Sequence, residues 1–318
     1  MKNTLALLVA LGCILGSAHA QQYPTKSIRF IVPFPPGGGT DTFARMVAPK
    51  LSEALGQRVV VDNRPGAQGS HGTAMGAKAP PDGYTMTLAF IGTLTMNPHI
   101  YRDVGYDPIK DFAAVSRGTA QPYVLVVHPS VPAKTMKELV ALARKHPGKL
   151  TYGSSSTAAQ LVAELLKMTT STDILHVPYK GAGPAMLDLL AGNLDLTFSV
   201  PAGPAGHVKA GRLRALAVTG SKRVSVFPDV PTSAESGYPE LEVMGWYGIV
   251  VPAATPKDII ARLNSETVRA LRLPDVIERL SGAGLDAAPT SSEEFAAIIR
   301  KEYERWGKVI KAAGLKVD

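Results

Sequence analysis

The chain has 318 residues, a formal net charge of +8 and a single cysteine. Its lysines and arginines are spread thinly and form no clustered basic stripe, which argues against nucleic acid as a partner. The length exceeds what one compact core usually organises, so two domains are expected.

The first twenty residues, MKNTLALLVALGCILGSAHA, have the features of a secretory signal peptide. Lys2 precedes an apolar run over residues 5–15, and the ending Ala18-His19-Ala20 predicts cleavage after Ala20. A lipoprotein signal at Cys13 is a weaker alternative, because the residues before this cysteine fit lipid attachment poorly. Cleavage would leave a soluble periplasmic chain without cysteines, held by its core rather than by disulfides.

From residue 27 onward, strand-like runs alternate with helical patterns. Strands are predicted at residues 27–32, 58–63 and 84–90, and a helix at residues 43–55. This alternation predicts a parallel, doubly wound sheet.

A second α/β unit follows Pro122. Its first strand is predicted at residues 123–128, and a capping box at Thr135 and Glu138 predicts a helix that ends at Lys145. The next predicted elements are strands at residues 149–155, 174–179, 194–199 and 213–219 and helices at residues 158–169 and 184–191. After Pro256 the pattern is mainly helical and ends in a long amphipathic helix over about residues 292–313.

The stretch FIVPFPPGGGTD, residues 30–41, joins the first predicted strand to the first predicted helix. Its glycines permit close backbone approaches that side chains forbid, and Thr40 or Asp41 can cap the helix. Such a turn presents open N–H groups and the positive end of a helix dipole, which suit a carboxylate or a phosphate. The Lys-Ser/Thr ending of a Walker loop is missing, which disfavours a nucleoside triphosphate. A rigid turn without a ligand explains the local sequence equally well.

Two later segments also lie between a predicted strand and a predicted helix. TYGSSSTAAQL, residues 151–161, offers several hydroxyls beside open amides, although an N-cap with solvated neighbours explains them too. VPYKGAGPAM, residues 177–186, carries only a weak dinucleotide signal because the third glycine is missing. Open α/β sheets bind ligands at the carboxyl ends of their strands, so the repetition favours one shared crevice.

Signatures of catalysis and of metal binding are scarce. The sequence has no Gly-x-Ser-x-Gly elbow, no His-Glu-x-x-His and no histidines paired at metal spacing, so no catalytic residue, metal or cofactor is predicted. An exported hydrolase using Ser154 or Ser155 is the weaker alternative, because it needs a base that the sequence does not place. His176 ends an apolar strand run and is predicted to be structural. Trp246 and Tyr247 either line a cleft or belong to the core.

Together these motifs resemble the Bug (TctC-like) family, the extracytoplasmic solute receptors of tripartite tricarboxylate transporters. The resemblance covers nearly the whole chain after the signal peptide. It is carried by YPTKSIRFIVPFPPGGGTD, LSEALGQRVVVDNRPGAQGSHG, APPDGYT, HVPYKGAGPAMLDLLAGNLDLTFS, GRLRALAVTGSKR, FPDVPTSAESGYP and WYGIVVPAATPKDIIARLNSE, among other segments.

The resemblance implies an α/β protein of the two-lobed periplasmic-binding-protein (Venus flytrap) fold, with the ligand cleft between lobes that crossing strands join. Lobe I would comprise residues 21–122 and 221–318, and lobe II residues 123–220. The implied function is capture of a small organic carboxylate by a monomer that hands it to the membrane components of the transporter. Docking of the same receptor on a membrane sensor is the alternative.

In the family, the first turn holds a ligand carboxylate through backbone amides and ordered waters, and the other two turns contribute from the second lobe. The ligand-binding residues that the resemblance implies here are Phe34, Pro36, Gly37, Gly38, Gly39, Thr40, Asp41, Ser154, Ser155, Tyr179, Gly181 and Ala182. Thr93, Phe198 and Trp246 are further predicted ligand-binding residues.

The chain departs from the family pattern at two places. Leu94 replaces a histidine that commonly precedes Asn-Pro, and Gln160 takes the place of another histidine after a shortened serine-rich loop. A pocket wall with Leu94, the shortened loop and the neutral Gln160 would favour an aromatic ligand or a longer dicarboxylate over short amino acids.

Overall fold

A computed structural model of the protein describes residues 23–312, 314 and 315. The predicted signal peptide and its cleavage site lie outside the described residues. Within them, no helix combines the length and the apolar character needed to cross a membrane.

Eleven strands and ten α-helices are described over these residues. The strands are β1 (Ile28–Val32), β2 (Val59–Asn63), β3 (Thr85–Phe90), β4 (Phe112–Pro122), β5 (Val124–Val127), β6 (Thr151–Ser154), β7 (Leu175–Pro178), β8 (Leu196–Ser199), β9 (Arg214–Val218), β10 (Met244–Pro252) and β11 (Asp286–Ala287). The helices are α1 (Gly39–Leu55), α2 (Ser70–Ala77), α3 (Asn97–Ile100), α4 (Met136–Lys145), α5 (Thr157–Thr170), α6 (Ala182–Ala191), α7 (Ala202–Lys209), α8 (Lys257–Leu271), α9 (Pro274–Gly282) and α10 (Ser292–Ala312).

The strands form two sheets. The first has the order β11-β4-β10-β3-β1-β2, and the second has the order β7-β6-β8-β5-β9. Strand β10 runs antiparallel to both β3 and β4, and β5 runs antiparallel to both β8 and β9. The parallel pairing expected for the first three strands is confirmed by β1, β2 and β3, but both sheets are mixed, because β5 and β10 run antiparallel to their neighbours. The physical reason is that β5 and β10 each arrive from the other sheet instead of following a crossover helix within their own.

The chain crosses between the sheets where only Tyr123 separates β4 from β5, and again between β9 and β10. Thr219 joins the two crossings. Its N–H donates to Tyr123 O at 2.8 Å, and its hydroxyl accepts from Tyr123 N–H at 2.8 Å. The same hydroxyl donates to Val243 O at 2.6 Å. Tyr123, Thr219 and Val243 together are called the crossing below.

Helices pack against both sheets, and one hydrophobic cluster includes buried residues of both, such as Phe30 of β1 and Leu125 of β5. Helix α1 contacts β1 and β2 and buries Phe43, Val47 and Leu51, while α8 and α10 contact β4. Phe227 lies in a smaller cluster with Val124 of β5. The division of the lobes at residues 220 and 221 stays a prediction, and the segment around Phe227, just beyond it, packs with the second sheet.

Candidate ligand-binding cleft

A cavity of about 720 Å³ opens between the two sheets. All three strand-to-helix turns line it: residues 34–40, Ser155 with Ser156, and residues 180–184. The other lining residues are Thr42, Phe90, Tyr123, Ala159, Phe198, Ser199, Val200, Ala202, Gly203, Tyr247, Gly282, Ala283 and Leu285. The volume falls within the range of about 300 to 1,000 Å³ typical of small-molecule sites.

The first turn ends in a helix whose N-terminus carries no side-chain cap. Gly38 is the N-cap residue of α1 and has an extended backbone, with φ −85° and ψ 172°. The first amides of a helix have no partner within it, so the N–H groups of Gly39 and Thr40 remain open where these residues line the cavity. The turn therefore offers N–H donors and the positive end of a helix dipole to an anion.

Asp41 does not line the cavity; its carboxylate fixes the shape of the first turn instead. It accepts hydrogen bonds from Gly37 N–H at 3.0 Å, Asn63 Nδ2 at 3.0 Å and Arg45 Nε at 2.9 Å. Burial raises the pKa of this carboxyl group, but the hydrogen bonds from Arg45, Gly37 and Asn63 outweigh burial and hold the pKa below its ordinary value. The Asp41 carboxylate thus occupies the Gly37 N–H, whereas the N–H groups of Gly39 and Thr40 remain open.

Aromatic side chains form the floor behind the first turn. Phe34 meets Phe90 edge to face at 5.3 Å between ring centroids, and Phe90 lies 5.9 Å from Tyr247. The Tyr247 hydroxyl lies only 2.6 Å from the position that a Cβ on Gly39 would occupy. Burial raises the pKa of Tyr247, so its hydroxyl stays protonated. This side of the cavity is consequently rigid and neutral.

Trp246 and Tyr247 are neighbours on β10, so their side chains point to opposite faces of the sheet. Tyr247 lines the cavity, whereas Trp246 packs edge to face on Phe295 at 5.2 Å in the core. Because successive side chains of a strand point to opposite faces, only one of these two residues can line the cavity once β10 is known to be a strand.

The three serines of the second turn, Ser154, Ser155 and Ser156, make different contacts. Ser156 caps α5 by accepting from Ala159 N–H at 3.3 Å, and Ser155 lines the cavity. Ser154 is 3% exposed and its Oγ lies 2.7 Å from His176 Nε2, outside the cavity lining. A Ser-His pair therefore exists, but it does not face the cavity where a substrate would bind.

His176 is held among buried groups, which agrees with its predicted structural role. Its ring stacks on Tyr152 at 4.8 Å between centroids, and the Tyr152 hydroxyl donates to Glu164. Burial lowers the pKa of His176, so the neutral imidazole is favoured.

The third turn also leads into a helix without a side-chain cap. Gly181, the N-cap of α6, has an extended backbone and lines the cavity between Lys180 and Ala182. Tyr179 lies outside the lining, where its hydroxyl donates to Asp188 Oδ2 at 2.6 Å. Burial and this hydrogen bond raise the pKa of Tyr179 to about 12.

The structure separates the predicted ligand-binding residues into two groups. Those that line the cavity are Phe34, Pro36, Gly37, Gly38, Gly39, Thr40, Ser155, Gly181, Ala182 and Phe198. Those outside the lining are Asp41, Thr93, Ser154, Tyr179 and Trp246. Contact with a ligand stays a prediction for both groups.

The two departures from the family pattern also lie away from the cavity wall. Leu94 is fully buried in a π-helical turn at Gly92–Met96 and packs in the core, so the expected Leu94 wall is wrong. Thr93, in the same turn, is buried and donates to Phe90 O at 3.1 Å. Gln160 follows the capped start of α5 and is not among the lining residues.

The sequence interpretation missed several lining residues. Tyr123 is one of them, because its place at the crossing depends on pairing between distant strands. Gly282, Ala283 and Leu285, at and after the end of α9, are others. Lys180 belongs to the motif VPYKGAGPAM, and its place in that turn is the signal from which its contact with the cavity could have been predicted.

Comparison with known proteins places the chain among solute receptors. The sequence model of the tripartite tricarboxylate transporter family receptors (TctC) matches residues 43–315. BugT of Bordetella pertussis is 35% identical over 99% of this chain and 99% of its own length. A UPF0065 protein of Pseudomonas sp. strain P51 is 39% identical over 95% of this chain and 91% of its own length.

Solved structures are similar over almost the whole chain. A protein described as a periplasmic transporter has 42% identity and a TM-score of 0.89, covering 93% of this chain and 100% of its own. An R. palustris protein solved with adipate has 36% identity and a TM-score of 0.88, covering 92% and 99%. MatC from Rhodopseudomonas palustris, with bound malate, has 30% identity and a TM-score of 0.85, covering 91% and 100%.

Proposed function

The chain belongs to the tripartite tricarboxylate transporter receptor family, which consists of solute-binding receptors and not enzymes, and we propose that it captures a small organic carboxylate in the periplasm and hands it to the membrane components of such a transporter. The observation that carries the proposal is the uncapped first turn. Its open amides at Gly39 and Thr40 line a cavity whose described walls contain no acidic side chain.

The available contacts are sufficient for useful affinity. A hydrogen bond to a charged group contributes about 1.5 to 3 kcal/mol net, and a helix terminus about 0.3 to 1 kcal/mol. Several such contacts with some apolar burial reach the roughly −8 kcal/mol that corresponds to micromolar binding.

Binding is coupled to closure of the lobes. The first turn belongs to the first sheet, whereas Ser155 and residues 180–184 belong to the second. A ligand that touches both sides binds the closed arrangement more tightly than the open one and shifts the population toward it.

The cavity suits a ligand with more apolar length than a small amino acid. Phe34, Phe90 and Phe198 line it. The similar R. palustris proteins solved with adipate and with malate hold dicarboxylates. We therefore assign a dicarboxylate, or an aromatic carboxylate, to this receptor.

Isothermal titration calorimetry with matched acids and amides tests the proposal. Adipate, malate and benzoate are compared with adipamide, malamide and benzamide, which keep the shape and remove the negative charge. We expect at least one acid to bind and its amide to bind at least about 10-fold more weakly, since each lost charge-assisted contact contributes more than 1 kcal/mol.

Equal affinity for an acid and its amide, or stabilisation by small neutral solutes alone, contradicts the proposal. Mass spectrometry of the acids after incubation gives a second check, because a receptor returns each of them unchanged.

A further inference from the structure

Lys180 is the one charged side chain among the described residues that line the cavity. It lies in the third turn between β7 and α6, next to Gly181, whose Cβ position would lie 3.8 Å from Pro35 Cγ of the first turn. The cation is therefore carried by the second sheet and stands where the two lobes meet.

The surroundings of Lys180 hold its backbone but leave its ammonium group available. Tyr179, immediately before it, donates its N–H to Ser154 O at 2.9 Å and its hydroxyl to Asp188 at 2.6 Å. No carboxylate of the described chain lies within ion-pair distance of the Lys180 ammonium group. The Lys180 side chain is exposed, so its ammonium group is hydrated and is not buried against a protein carboxylate.

The first turn and Lys180 offer two different kinds of anion contact from two different lobes. The amides of Gly39 and Thr40 are directional donors that suit one carboxylate. The ammonium group of Lys180 is a mobile point charge on a flexible stem and tolerates variable distance. A ligand with one anionic group at each position connects the lobes through both ends.

On the basis of the proposed function, we infer that Lys180 determines specificity by pairing with a second anionic group of the ligand, so that dicarboxylates are preferred over monocarboxylates of the same length. A monocarboxylate uses the amides of the first turn and leaves Lys180 unpaired. The preference should also decrease as salt is added, because an exposed ion pair is screened.

Calorimetry with three matched pairs tests this assignment: adipate with hexanoate, glutarate with pentanoate, and succinate with butyrate. Lys180→Met is compared with Lys180→Arg, which keeps the charge, and with Lys149→Met, which removes an exposed charge of the same lobe outside the cavity. Thermal unfolding of each variant verifies that it is folded.

For the unaltered protein, we expect each favoured dicarboxylate to bind about 10-fold or more tightly than its monocarboxylate, as one charge-assisted contact predicts. Lys180→Met should lose this preference and keep monocarboxylate affinity within about 2-fold. Lys180→Arg and Lys149→Met should retain the preference.

An equal loss for both members of a pair in Lys180→Met, or no loss for either, overturns the assignment of Lys180 to a second anionic group. Absence of any preference in the unaltered protein overturns it as well. Binding of no carboxylate by the unaltered protein has a different meaning, because it contradicts the proposed function itself.

Discussion

Gly38 and Gly39 are adjacent in the first turn, but each is needed for a different physical reason. Gly38 has a negative φ, and a Cβ there would meet nothing within 4 Å, so the fold accepts a side chain that extends into open space at the cavity. Gly39 has no such space because of Tyr247. We therefore expect the first position to serve the approach of a ligand, whereas the second serves packing.

Gly38→Val should therefore weaken binding strongly with little loss of stability. We expect affinity for a bound carboxylate to fall roughly 100-fold, which is the loss of about two charge-assisted contacts. Calorimetry measures the affinity, and Gly206→Val is the control, because Gly206 also has open space but lies outside the cavity. Unchanged affinity in Gly38→Val would remove the first turn from the site.

Asp41→Asn should lower the free energy of unfolding by about 1 to 3 kcal/mol at neutral pH, since it weakens hydrogen bonds to a charged group. The pKa of Asp41 is depressed in the folded state below its ordinary 3.8, so the stabilisation is present above that value and is lost as the pH falls through the folded pKa. Urea unfolding at neutral pH and near pH 3 measures the difference, which should shrink in acid.

The control for Asp41 is Asp275→Asn, which alters an exposed carboxylate paired with Lys50 at 2.9 Å. Exposed ion pairs contribute little because solvent screens them, so this variant should lose less stability than Asp41→Asn. A loss as large as that of Asp41→Asn would show that Asp41 has no special part in the turn.

At the scale of elements, local pattern predicted most helices and strands, but it missed the strands whose existence depends on distant partners. Strand β4 contains small and polar residues, and Gly118 within it is required because a Cβ would lie 2.3 Å from Phe43 Cζ of α1. Within β10, the sequence pattern indicated only that Trp246 and Tyr247 line a cleft or belong to the core; it did not predict a strand. Pairing between β4 and β10 spans more than a hundred residues, and no local periodicity reports it.

Local sequence pattern also predicts only part of the cleft. The glycine-rich and serine-rich turns follow strands directly, so their position at one edge of each sheet follows from the sequence. The roles of Asp41, Ser154 and Tyr179 depend on Asn63, His176 and Asp188, which only the folded chain brings to them.

The pairing of β6 with β7 places His176 where protonation opposes folding. The pKa of His176 is lowered from 6.5 in the folded state, so its contribution to stability is present above pH 6.5 and is lost as the pH falls toward the folded pKa. His176→Gln should show a smaller decline in the free energy of unfolding between about pH 7.5 and 5.5 than the unaltered protein.

Ser154→Ala is the matched variant, because it removes the hydroxyl partner and keeps the buried histidine. Chemical denaturation at both pH values should give Ser154→Ala the decline of the unaltered protein. An identical decline in His176→Gln would mean that other groups govern this pH range.

At the scale of the whole molecule, the lobes touch at two places and are joined at the crossing. Gly181 approaches Pro35 at one of these places, and Gly284 approaches Pro201 and Ala202 at the other. Gly284 has φ +65°, and a Cβ there would lie 2.8 Å from Ala202 N. We therefore predict that closure of the lobes depends on the absence of a side chain at this contact.

Gly284→Ala should hold the lobes apart and reduce carboxylate affinity about 5- to 10-fold, as expected for roughly 1 kcal/mol of strain at closure. Calorimetry measures the affinity, and small-angle scattering with saturating ligand should give a larger radius of gyration. Gly211→Ala has a similar φ of +70° and no neighbour within 4 Å, so it separates backbone strain from the lobe contact. Equal effects in both variants would exclude a role for this contact in closure.

The open amides of the first turn have a consequence for how such a receptor diversifies. Every residue except proline carries a main-chain N–H, so on the proposed function an exchange of side chains elsewhere in the cavity leaves this contact in place. Selection can then exchange Phe198, Lys180 or Ser155 to suit a new nutrient without rebuilding the anchor for its acid group. One inherited scaffold can in this way give rise to receptors for different carboxylates.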